Sequence, residues 1–311
     1  MGSSHWSDDF YAQREQVRKS TGTSAFAHDA AVKRAAPKDQ KVHEKLDPKG
    51  VKFREARDSL AHPESLPIMV MLDVTGSMQN SPRVIQAALP KLMGSITTLG
   101  GTQHPQILFG AIGDSRSDRG SLQVGQFESG IEMDDDLGRF WLEGGGGGSG
   151  EESYQNAIYF AARHTVTDHW EKRQKKGYLF MIGDELPYPQ VSASEIMTLC
   201  DKSLEGVNIP TEQIVKEAQE RYNVFFIIPR HADHGSDPRL RQRWSDLLGE
   251  DHVILMDRED LISETIALAI GLCEGNVNLE SEKVDASVAL SLRTLAASLG
   301  KKIPTPKTVR L

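Results

Sequence analysis

The sequence predicts an α/β fold: a doubly wound, mostly parallel six-stranded sheet with helices on both faces and one short antiparallel edge strand. Three observations predict it. Continuous apolar runs at 66–72 and 224–228 read as strands buried on both faces. Stretches with apolar residues at helical spacing lie between such runs, as with Val84, Ile85, Ala88, Leu89 and Leu92. Residues 122–127 alternate apolar and polar in part, the pattern of a half-exposed edge strand.

The elements follow in order. Residues 1–64 form a charged N-terminal arm with a helix expected near 8–19, ended by Gly22, and an extended stretch over 35–48. The arm is expected to wrap the main domain or meet a partner; a disordered tail is the alternative. The main domain spans 65–277. Its strands are expected at 66–72, 107–112, 122–127, 178–182, 224–228 and 252–256. Helices are expected after Pro82, over 152–165, in two short pieces before the fifth strand, over 238–248 and after Asp260. Asp134-Asp135-Asp136 reads as the start of a helix ending at Leu142, since EF-hand calcium spacing is missing. Phe140 and Trp141 are expected to cover the core. Residues 278–311 predict one helix over 281–299, with Val284, Val288, Leu292 and Leu295 on its apolar face, and a basic, proline-interrupted tail over 301–307.

Composition excludes several classes. A hydrophobic share of 38% and a charged share of 26% are ordinary for a globular chain of 311 residues. A net charge of −8 argues against broad nucleic-acid coating, which needs a basic surface. Two cysteines, Cys200 and Cys273, allow neither a disulfide framework nor a zinc ribbon, and both are expected as buried reduced thiols. Residues 1–6 lack the apolar run of a secretion signal and no stretch reaches membrane-span length, so the cytoplasm is the expected compartment.

Doubly wound sheets gather ligands beyond the carboxyl ends of their strands. Three loops there carry oxygen ligands: Asp73-Val74-Thr75-Gly76-Ser77 after the first strand, the glycine run 144–148 ending in Ser149, and Gly183-Asp184 after residues 178–182. Oxygen-only ligands suit Mg²⁺, or Mn²⁺, rather than zinc.

Asp-x-Thr-x-Ser after an apolar first strand, followed by a glycine-rich loop and a strand-end Asp, resembles the metal-ion-dependent adhesion site of von Willebrand factor A domains. The resemblance covers about residues 66–275. It implies that Thr75 and Ser77 touch the metal, that Asp73 and Asp184 act largely through water, and that Ser149 holds the second-loop position where the family more often has Thr. Thr75 likewise replaces the commoner Ser. It implies a short antiparallel edge strand, to which residues 122–127 correspond. Hydroxyl ligands leave the ion electrophilic, so the site is suited to capturing an Asp or Glu of a partner protein. Intracellular bacterial members work beside MoxR-type AAA+ ATPases, which makes such an ATPase a candidate partner.

Other readings fit less well. A phosphatase of the haloacid dehalogenase type needs a second acid where Thr75 stands, and a P-loop needs a lysine that Gly148-Ser149-Gly150 lacks. Metal-dependent hydrolysis needs a poised base, for which Glu152 and Glu185 are the neighbours. His231-Ala232-Asp233-His234 reads as a loop, since no further His or Cys lies at zinc-ligand spacing. Proteins of this family in RNA complexes carry a helical-repeat region absent here. The expectation is an adaptor and not an enzyme.

Overall fold

The computed structural model describes residues 5–200, 206–280 and 284–301. The fold is mixed α/β, built on a six-stranded sheet. Its strands are β1 (Leu66–Asp73), β2 (Pro105–Ile112), β3 (Leu122–Val124), β4 (Gly177–Ile182), β5 (Tyr222–Pro229) and β6 (Val253–Met256). Their order across the sheet is β6-β5-β4-β1-β2-β3, parallel throughout except that β3 runs antiparallel to β2.

β1 is central and all eight of its residues are buried. Its side chains alternate between two cores, as a period of two demands. Ile68, Val70 and Leu72 join Ile85, Leu92, Ile96 and helix Ile262–Cys273 on one face. Met69 and Met71 join residues of helices Tyr154–Arg163, Thr211–Arg221 and Pro238–Leu248 on the other. Helices therefore cover both faces, and each fully buried large side chain contributes about 1.5–3 kcal/mol.

Some elements differ from expectation for identifiable reasons. The helix after Pro82 runs Ser81–Ala88 and then breaks into a 3₁₀ turn before Leu92–Thr98, because Pro90 supplies no N–H and its ring clashes with the preceding turn. The acidic helix is Glu132–Gly138 and stops before Leu142. Trp141 there leaves the helix and exchanges two bonds with the Gln123 side chain, its N–H donating to Oε1 (2.9 Å) and its carbonyl accepting from Nε2 (2.8 Å). The C-terminal helix is two pieces, Ala286–Ser291 and Arg293–Ser298; the turn at Leu292 seats that side chain fully in the core. Of the basic tail over 301–307, all but Lys301 lies outside the described residues, as do 281–283 of the expected helix. Cys200 is buried and Cys273 partly buried, and burial pushes the Cys273 thiol up to about 12.

The N-terminal arm wraps the main domain. Ser7 caps helix Asp8–Thr21 and Gly22 ends it with φ +64°. Arg14 and Arg18 of that helix pair with Asp134. The edge strand β3 is buried and not half exposed, because the arm covers its free side: Leu46 accepts from the Val124 N–H (2.7 Å), and Arg54 donates to the Val124 carbonyl (3.0 Å). Arg54–Ala56 also adds a short parallel pairing to Thr165–Thr167. Among the described residues no helix is long and apolar enough to cross a membrane.

Asp58 anchors the end of the arm. Burial by itself raises its carboxyl, but Arg173 (2.8 and 3.0 Å), the Ser65 hydroxyl and N–H, and Lys172 outweigh burial and hold it below its ordinary range. A depressed folded pKa contributes stability above the unfolded value near 3.8, and loses it as pH falls through the folded one. Asp58→Asn is therefore expected to cost ~2 kcal/mol at neutral pH and to show a smaller further loss below pH 4 than wild type. Urea denaturation across pH 2–7 measures both; equal acid limbs in the two proteins would defeat the expectation.

Candidate metal centre

The loop after β1 begins as an acid turn. Oδ1 of Asp73 accepts from the Thr75 N–H (2.8 Å) and the Thr75 hydroxyl (2.6 Å), and its Oδ2 accepts from the Tyr154 hydroxyl. The Ser77 hydroxyl lies 3.3 Å from that of Thr75 and donates to Oδ1 of Asp184 (2.8 Å) at the end of β4. Oδ2 of Asp184 accepts from the His234 N–H (3.0 Å) in the loop after β5. Neighbouring parallel strands thus bring Asp73, Thr75, Ser77 and Asp184 into one hydrogen-bonded chain. Each hydroxyl gives its proton to a carboxylate, which leaves its oxygen lone pairs as acceptors.

Ser149 stands apart from that chain. It is exposed, donates to the Glu151 carbonyl (3.2 Å) and lies 3.5 Å from the Tyr188 hydroxyl. The glycine loop explains why. Gly144, Gly146, Gly148 and Gly150 all have positive φ, a path that only glycine follows without strain. Two contacts hold its near end: the Gly144 N–H donates to the Val74 carbonyl (3.1 Å), and the Gly76 N–H to the Gly145 carbonyl (2.7 Å). The far end is fixed by a two-residue parallel ladder, Glu151–Glu152 against Leu186–Pro187. The side chain this loop buries beside Asp73 is Glu152, at 1% exposure.

Five carboxylates lie buried here: Asp73, Asp114, Glu152, Asp184 and Glu185. Burial pushes Asp73 up to about 7, partly offset by its bonds from Thr75 and Tyr154. Burial raises Asp184 too, and it raises Glu152 and Glu185, which face each other carboxyl to carboxyl. Asp114 is held by the Arg116 N–H (3.1 Å), the Ser117 hydroxyl (2.9 Å) and the Tyr188 hydroxyl (3.1 Å). The His234 ring lies 3.5 Å from Glu185 and is half exposed. Elsewhere, buried Asp29, Asp134, Asp136 and Asp168 each have an Arg or Lys within ion-pair distance.

Among the described residues, no group of three or more His, Cys, Asp or Glu could hold a metal ion. The candidate donors are instead mixed, two hydroxyls with carboxylates, and the chemistry of that set fits a hard divalent cation. The orphaned oxygen fits it as well: Oε2 of Glu152 is buried and accepts from no donor.

Sequence reasoning missed three participants. Tyr154 was hidden as an apolar helix residue, Asp114 as a loop acid, and His234 as part of a connection. Glu152 and Glu185 were visible only as nearby acids. The loop at 231–234 does behave as a loop: His231 bonds the Asp257 carbonyl (3.0 Å) and the Asp233 N–H donates to the Ser77 carbonyl (3.0 Å).

Gly183 shows how tightly Tyr154 is held. A Cβ there would stand 2.1 Å from the Tyr154 hydroxyl oxygen and 2.7 Å from its ring. Gly183→Ala is expected to destabilise the chain by about 1–3 kcal/mol, read as a lower urea midpoint. An unchanged midpoint would show that the ring moves freely.

No protein-family model and no curated protein matches this chain. Among solved structures it is similar to the pilus adhesin SpaC of Lactobacillus rhamnosus GG in an open conformation, at 14% identity and a TM-score of 0.47, over 72% of this chain and 31% of the adhesin. It is similar also to proximal thread matrix protein 1 of the mussel byssus, at 10% identity and a TM-score of 0.42, over 70% of this chain and 49% of that one. The chain thus spans less than half the length of either.

Proposed function

We propose that this chain is a von Willebrand factor A-type adaptor that grips a protein partner through a divalent cation, Mg²⁺ or Mn²⁺. One observation carries the reading: carboxylates with no Arg or Lys partner among the described residues lie buried together with two hydroxyls where strands β1 and β4 end. Buried charge without a counter-charge is costly, and a cation supplies that counter-charge. Asp73, Thr75, Ser77 and Asp184 would hold the ion, with the hydroxyls as neutral donors and the acids as charge balance. When bound, the ion supplies an electrophilic position that accepts a carboxylate oxygen from the partner. The doubly wound arrangement of this fold type, with its antiparallel edge, is part of the same reading. A MoxR-type AAA+ ATPase is the candidate partner that the sequence resemblance names.

The test has two arms. Mg²⁺ is expected to raise the melting temperature of the purified chain, and chelator to reverse the rise. Immobilised wild type is expected to retain a partner from its host in Mg²⁺ and release it in chelator, while Asp184→Asn retains none. Retention that ignores both chelator and Asp184→Asn would overturn the adaptor reading. Phosphoester hydrolysis dependent on Mg²⁺ or Mn²⁺ would favour an enzyme instead.

A further inference from the structure

We propose that Glu152, and not Ser149, is the side chain that the glycine loop contributes to the cation, with Glu185 as its positioning neighbour. The inference rests on the cation reading above and names a ligand beyond it.

Three independent features place Glu152. The ladder pairing Glu152 with Pro187 fixes its backbone beside the loop that carries Asp184 and Glu185. Its carboxyl borders the same small space as Thr75: a Cβ placed on Gly146 would lie 2.8 Å from Glu152 Oε1 and 3.4 Å from Thr75 Cβ. Its Oε2 is buried and accepts from no N–H or hydroxyl donor, the facing Glu185 carboxyl being its carboxyl's polar neighbour. Ser149 has none of these properties, since it is exposed and already engaged with the Glu151 carbonyl. Trp244 donates from Nε1 to the Glu185 carbonyl (3.0 Å), which steadies the neighbour that faces Glu152.

The exchange alters what the site does. A serine or threonine at this position adds no charge to the ion, whereas a glutamate adds a full negative one. Together with Asp73 and Asp184 it overcompensates a divalent cation. The ion is then retained firmly without a partner, and its pull on an incoming carboxylate is weaker than in a site with a hydroxyl there.

Mn²⁺ titration of the purified full chain, followed by the loss of the free-ion electron paramagnetic resonance signal, decides it. Glu152→Gln is expected to weaken Mn²⁺ binding by roughly tenfold or more, Glu152→Asp to weaken it less, and Ser149→Ala to leave it within about twofold. Melting in chelator is expected to be no lower for Glu152→Gln than for wild type, because one of two facing buried acids is removed. If Glu152→Gln binds Mn²⁺ like wild type, or Ser149→Ala loses binding, the ligand assignment falls while the cation reading stands. If Glu152→Gln does not fold, Glu152→Asp carries the comparison, and undiminished binding by it overturns the assignment. Wild type that binds no Mn²⁺ overturns both.

Discussion

Asp73→Asn is expected to abolish the stabilisation by Mg²⁺ while leaving the chelated protein about as stable as wild type. The side chain is the same size, and its amide oxygen still accepts from the Thr75 N–H and hydroxyl. The amide N–H₂ replaces Oδ2 opposite Tyr154, whose hydroxyl then accepts where it had donated. No hydrogen bond need be lost, and one buried negative charge beside Asp184 disappears. Cation binding is another matter, since an amide balances no charge. At a hundredfold excess over its dissociation constant, a ligand stabilises the folded state by about 2.7 kcal/mol, worth roughly 4 °C in a chain this long. Differential scanning fluorimetry in Mg²⁺ and in chelator reads both quantities. A merely structural Asp73 predicts the opposite pattern, with equal Mg²⁺ shifts and a lower melting temperature for the variant in both buffers.

Trp244→Ala carries the largest expected cost in stability, ~3–5 kcal/mol. The indole is fully buried, stacks on Phe226 with ring centroids 3.8 Å apart, and meets Tyr154 edge-on at 5.5 Å. Its Nε1 also satisfies the Glu185 carbonyl at 3.0 Å. Alanine leaves a cavity on the face where helices Tyr154–Arg163 and Pro238–Leu248 pack, and it frees the ring that donates to Asp73. Trp244→Phe is expected to lose about 1–2 kcal/mol, keeping most of the stacking but leaving the Glu185 carbonyl without its donor. Urea denaturation separates the two. Equal losses in both variants would show that the indole N–H, and not ring volume, dominates.

The two variants probe opposite links of one chain of contacts. Trp244 supports Tyr154 and Glu185 from the core, and Tyr154 in turn holds Asp73. Packing in the second core therefore reaches the carboxylates through two side chains. Trp244→Ala is accordingly expected to weaken Mn²⁺ binding as well as folding, although Trp244 is not among the proposed ligands.

Much of this protein was determined by short-range pattern. Residues 66–72 and 224–228 form strands because unbroken apolar runs require burial on both faces, and a parallel sheet between helix layers provides it. Helix Asp8–Thr21 begins at Ser7 and ends at Gly22 because a hydroxyl cap and a left-handed residue suit those positions. The closing of Asp73, Thr75 and Ser77 into one turn is local too, since two-residue spacing puts the hydroxyls within reach of the acid. Only the tertiary structure decided which distant residues join them. Asp184 was legible as a strand-end acid, but Asp114, Glu152, Tyr154, Glu185 and His234 gather around Asp73 and Asp184 because the order β5-β4-β1-β2 sets their loops side by side. No spacing in the chain encodes that convergence. The choice between Ser149 and Glu152 turns on a glycine path with alternating positive φ and a two-residue ladder, whose registration is a long-range contact. The burial of β3 likewise depends on an arm that lies far from it in sequence, and the reason is the same: an edge is covered by whatever the fold brings to it.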